Sequence, residues 1–79
     1  MKNLQKYNEA FLKIFNLEDQ ILENLKYQSI ETWDSVGHMA LISELEEFFD
    51  IEMDIDDIIE FSDYQKGKEI LKKYNVNLE

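Results

Sequence analysis

Seventy-nine residues make one small domain, and a chain this short buries only about 60% of the surface that it exposes when unfolded. The net charge of −10, with no Lys or Arg between Tyr27 and Gln65, argues against nucleic-acid binding and for a partner with a basic patch. The lack of cysteine removes disulfides and Cys-based metal sites. No apolar run reaches the length of a signal peptide or a membrane span, so a cytoplasmic single domain over 1–79 is expected.

With no Pro, two Gly and an abundance of Glu, Leu, Lys and Ile, the composition favours helix over strand. Leu4, Tyr7, Phe11, Ile14 and Phe15 recur at helical spacing, which predicts a first helix over 3–15 with Asn16 as its stop. Residues 16–33 carry scattered apolar anchors: Leu17, Ile21, Leu22, Leu25, Tyr27, Ile30 and Trp33. A structureless loop of that length is unusual, so these side chains should pack it onto the core, with a short helical turn in the range Glu18 to Leu25.

The second helix is the clearest. Asp34 is a good N-cap, and Val36, Met39, Ile42, Leu45 and Phe49 form an apolar stripe with Leu41 and Phe48 beside it. After a connection over 50–54, Asp56 or Asp57 can cap a short third helix carrying Ile58, Ile59 and Phe61. Ser62 or Asp63 then starts a fourth, with Tyr64, Gly67, Ile70 or Leu71, and Tyr74 on one face. Gly67 inside a helix costs about 1 kcal/mol against Ala, a cost explained if a backbone or an aromatic ring comes close there. The terminal Leu78-Glu79 reads as an expression-vector remnant and has no weight in this expectation. The expected fold is all-α: four helices with a long first loop and a short third helix.

Two constellations lose their chemistry on inspection. Asp34, Ser35 and His38 lie within one helical turn, so the imidazole cannot readily stand between the hydroxyl and a carboxylate that orients it. There is also no G-x-S-x-G turn. The run from Asp50 to Asp56 begins like an EF-hand loop, but Ile55 stands where the sharp turn needs Gly and Phe61 where a bidentate Glu is needed. No metal site and no catalytic residue are therefore expected. Ser35 gains ground instead, because a helix N-terminus offers free amides and the positive end of the macrodipole to a phosphate.

Asp34-Ser35-Val36, followed by Leu41-Ile42, Leu45-Glu46-Glu47 and Phe49, resembles an acyl carrier protein of the specialised, standalone bacterial type, and the likeness covers nearly the whole chain. The resemblance implies an acyl-carrier-like four-helix bundle that is not itself an enzyme. It implies that Ser35 bears a 4′-phosphopantetheine arm transferred from coenzyme A by a holo-carrier synthase or phosphopantetheinyl transferase, with Asp34 capping the helix or contacting Mg²⁺ during transfer. The arm's thiol would hold acyl intermediates of a specialised pathway, in fatty acid or polyketide biosynthesis, as thioesters. Val36, Met39, Glu46, Glu47 and Met53 would form the surface read by acyl-loading and acyl-transfer enzymes with basic docking patches.

Thr32, Gly37 and Ala40 stand where the general fatty-acid carrier has Gly and two acidic residues, Val36 replaces the commoner Leu, and His38 adds a titratable group near the arm. These departures point to a dedicated carrier. Gly37 is expected to keep the surface beside Ser35 open. Phe48, Phe49, Phe61 and Tyr64 are expected to fill the centre, leaving room only for a short or external cargo. Two other readings stand beside this one: a D-alanyl or other aminoacyl carrier, and an acidic helical adaptor in which Ser35 is only part of a cap. The high negative charge favours a monomer at low salt.

Overall fold

The computed structural model of the chain describes residues 2–17 and 22–78. Its elements are α1 (Asn3–Phe15), a 3₁₀ turn (Leu22–Asn24), α2 (Ser35–Phe49), α3 (Ile55–Glu60) and α4 (Tyr64–Lys72). The fold is all-α, with four helices and no strand among the described residues. None of these helices is long and apolar enough to cross a membrane.

α1 occupies the expected range. Its end is set by Asn16, which turns left-handed at φ 54° and returns its amide to Leu12 O, a conformation that Asn tolerates better than most residues. The 3₁₀ turn falls inside the range where a helical turn is predicted, although Glu18 to Ile21 lie outside the described residues. Of the loop anchors that are described, Leu25 and Trp33 are buried and Leu17, Leu22 and Ile30 are half-buried, whereas Tyr27 is 38% exposed. The loop is also tied down by its backbone. Tyr27 N–H donates to Ser62 O (2.8 Å), Tyr64 N–H to Leu25 O (2.9 Å), and Lys26 pairs antiparallel with Asp63.

In α2 the buried face is not the stripe predicted. Leu41, Ile42 and Leu45 are buried, Phe48 and Phe49 are half-buried, and Val36 and Met39 are 78% and 50% exposed. The reason is angular: at about 100° per residue, three steps of three residues leave Val36 and Leu45 about half a turn apart. The cap of α3 also differs. Asp54 occupies that position, while Asp57 is drawn into the core at 3% exposure. There it accepts from Lys73 Nζ (2.5 Å) and Tyr74 Oη (2.5 Å), and Tyr74 Oη in turn accepts from Asp54 N–H (2.9 Å). Those bonds tie the N-terminal half of α3 to the residues that follow α4, and the bonds from Lys73 and Tyr74 hold the Asp57 carboxyl below the usual range.

The centre is aromatic. Phe11 packs against Tyr7, Phe15, Trp33, Phe61 and Tyr64, with ring centroids 5.1–6.3 Å apart. Phe61 and Tyr64 are core as expected, but the other central rings come from α1 and the loop rather than from Phe48 and Phe49. Tyr7 Oη donates to Tyr64 O (2.6 Å), which satisfies a hydroxyl that burial pushes well above its ordinary pKa. Gly67 lies directly beneath these rings. A Cβ there would stand 2.6 Å from Phe61 Cε1 and closer still to Phe61 Cζ and Tyr7 Oη, so the expected close approach of a ring is found. At the other end, Leu78 is 7% exposed and packs with Val76, and Asn77 O accepts from Asn3 Nδ2 (2.9 Å). Leu78 therefore packs as part of the core.

Candidate functional site

The start of α2 is organised by Asp34. Its Oδ1 accepts from Gly37 N–H at 2.8 Å, and its carbonyl accepts from His38 N–H at 2.7 Å. The cap is thus supplied by the aspartate, as predicted, and Ser35 stands at the first helical position with no structural duty. Its side chain is exposed, and its hydroxyl makes no hydrogen bond among the described residues. The amides of Ser35 and Val36 remain as the first-turn donors that no helical carbonyl reaches. An exposed hydroxyl beside free amides at the positive end of a fifteen-residue helix suits a phosphate ester.

Gly37 does not keep an outer surface open. Its α-carbon faces inward, where a Cβ would collide with the Thr32 carbonyl oxygen and stand 3.2 Å from Phe15 Cε1. Thr32 Oγ1 donates to Phe15 O (3.3 Å), so the loop backbone is pinned between α1 and the first turn of α2. The glycine is needed for that close approach.

His38 is half-buried and fully engaged. Its Nδ1 accepts from Trp33 Nε1–H (3.0 Å), and its Nε2 lies 2.7 Å from Ile58 O. An indole N–H can only donate and a carbonyl can only accept, so these partners select the neutral imidazole with its proton on Nε2. Both nitrogens are occupied away from Ser35, a physical reason why Asp34, Ser35 and His38 form no hydrolytic triad.

The residues expected to face a partner separate. Val36, Met39 and Glu47 are exposed around α2. Glu46 is half-buried and accepts from Met53 N–H at 2.9 Å, and Met53 itself is buried at 7% exposure. Met53 therefore contributes to the core and not to an open face. In its place the structure exposes Ile55 and Ile59, at 72% and 73%, both on α3. The bonds from Met53 to Glu46 and from Ile58 to His38 show that 53–58 runs back along α2 towards its first turn. Ile59 is thereby brought towards the end of α2 that carries Ser35. Exposed Asp54, Asp56 and Glu60 surround these isoleucines with negative charge. No sequence signal marks them: Ile55, Ile58 and Ile59 fall at i, i+3 and i+4, the spacing of a buried stripe, with the acidic residues of α3 on the other side.

No protein-family model, curated protein or solved structure matches this chain.

Proposed function

We propose that the chain is an acyl carrier protein of the four-helix type, with Ser35 as the attachment point of a 4′-phosphopantetheine arm. The observation that carries the reading is the exposed Ser35 hydroxyl at the start of α2, left free because Asp34 satisfies the cap. When bound, the arm supplies the thiol that holds an acyl group as a thioester. The chain's own part is to present the nucleophile. Ser35 Oγ forms a bond to the phosphorus of coenzyme A next to the pantetheine, the pyrophosphate P–O bond breaks, and adenosine 3′,5′-bisphosphate leaves. The hydroxyl proton passes to a base of the transferase. The amides of Ser35 and Val36 and the dipole of α2 then favour the resulting phosphodiester. Asp34 stays close enough in sequence to assist a Mg²⁺ ion that the transferase brings.

Exposed Val36 and Met39 on α2 and exposed Ile55 and Ile59 on α3, in an acidic stretch of the chain, support docking to enzymes that offer apolar pockets rimmed by Lys or Arg. Such docking weakens as salt rises.

The test uses the purified chain, coenzyme A, Mg²⁺ and a broad-specificity phosphopantetheinyl transferase. Intact mass should rise by one arm, and Ser35→Ala should abolish the rise. No gain, with an established carrier modified alongside, would discard the carrier reading in favour of the acidic adaptor. Loading by a partner that leaves an amino acid as the thioester would make it an aminoacyl carrier.

A further inference from the structure

Resting on the carrier reading, we propose that His38 bolts the seam between α2 and α3, so that the cargo tethered at Ser35 stays outside the helical core. The carrier is thereby restricted to short or polar acyl groups. A chain attached at Ser35 has its nearest route inward between the first turn of α2 and the end of α3. That route is crossed by a continuous polar link, from Trp33 Nε1 to His38 Nδ1 (3.0 Å) and from His38 Nε2 to Ile58 O (2.7 Å). The imidazole also stacks near-parallel on Trp33 (16°, 6.3 Å) and meets Phe61 edge-on at 6.0 Å. Opening the seam would break both hydrogen bonds and strand an indole N–H and a carbonyl away from water, a penalty that an entering alkyl chain cannot satisfy.

Behind the bolt, among the described residues, stand closely packed rings. Trp33 is fully buried and stacked on Phe15 at 5.2 Å, and Phe11 fills the space between Trp33 and Tyr64. A depression of about 640 Å³ does exist, lined by Leu4, Lys68, Lys72, Val76 and Leu78 among others, but no residue of α2 or α3 borders it. A long alkyl tail would therefore lie in water or against the exposed apolar side chains of α2 and α3. Each exposed methylene forfeits about a fourfold advantage that burial would give.

The experiment loads wild type directly from acetyl-, butyryl- and octanoyl-coenzyme A with the same transferase, and confirms each product by mass. Thioester cleavage by hydroxylamine is then timed, and the Trp33 indole N–H resonance is followed. Cleavage rates that agree within about twofold across the series, with the indole resonance unmoved, are expected, because a buried chain would instead gain protection by up to about fourfold per methylene. Progressive slowing with chain length in the wild type, together with a displaced indole resonance, would overturn the proposal. His38→Ala is expected to introduce that length-dependent slowing; an octanoyl rate as fast as the acetyl rate in a folded His38→Ala would overturn the role given to His38. A chain that gains no mass from any of the three thioesters would instead defeat the underlying carrier reading.

Discussion

Helices α2 and α4 begin with the same chemistry and put it to opposite uses. Each has an aspartate cap whose carboxylate accepts from the amide three residues on: Asp34 from Gly37 (2.8 Å) and Asp63 from Lys66 (2.6 Å). The residue after the cap is the difference. In α4 it is Tyr64, 4% exposed, with Oη donating to Asn8 Oδ1 (2.5 Å) and its carbonyl receiving the Tyr7 hydroxyl. In α2 it is Ser35, exposed and without a partner among the described residues. A capped helix start is thus a structural joint by default. It becomes a candidate site only where the fold leaves its first side chain unused.

Replacing those two first residues should separate them most strongly. Tyr64→Ala removes a ring from the central cluster and should cost about 3–5 kcal/mol in chemical denaturation, whereas Ser35→Ala should stay within about 0.5 kcal/mol of wild type. Equal losses would end the contrast. A second, smaller effect concerns Gly67. Gly67→Ala drives a methyl into the Phe61 ring and the Tyr7 hydroxyl, and overpacking of that kind costs typically about 1–3 kcal/mol. Its thermal midpoint should therefore fall, even though alanine is the better helix former.

The caps themselves should behave alike. Asp34→Ala and Asp63→Ala are each expected to lose about 1 kcal/mol in urea titrations, with Asn at either position recovering most of it. The last separation, at Asp57, is read in its loss in acid. Lys73, and then Tyr74, hold the Asp57 carboxyl below its ordinary 3.8. Its contribution is therefore complete above the unfolded value and fades as pH falls from about 4 through the lower folded value. Helicity followed by circular dichroism during acid titration should show Asp57→Asn weakened at neutral pH and less sensitive than wild type below pH ~4.

Much of this arrangement was legible in the chain. α1 is bounded by a clean apolar period and by Asn16, and both caps are short acidic side chains placed before an apolar run. Gly67 drew notice because it stands inside a helical pattern, and the rings above it account for that position. What could not be read was direction. Val36 and Met39 look like core because they are apolar and spaced by three; the half turn between Val36 and Leu45 shows that one face cannot hold both, and the packing of α1 against α2 decides which is covered. Asp57 looked like a cap, and its burial depends on Lys73 and Tyr74, distant residues that neutralise and bond it. The freedom of Ser35 was inferable from Asp34. The engagement of both His38 nitrogens was not, since Ile58 approaches only through the return path of α3.

The short antiparallel pairing of Lys26 with Asp63 has a dynamic consequence. The bonds from Tyr27 N–H to Ser62 O and from Tyr64 N–H to Leu25 O join the loop before α2 to the junction of α3 and α4. Neither strap can come loose without uncovering the amide of the other. The two segments therefore open as one cooperative unit, and hydrogen exchange at Tyr27 and Tyr64 reports a single local unfolding event.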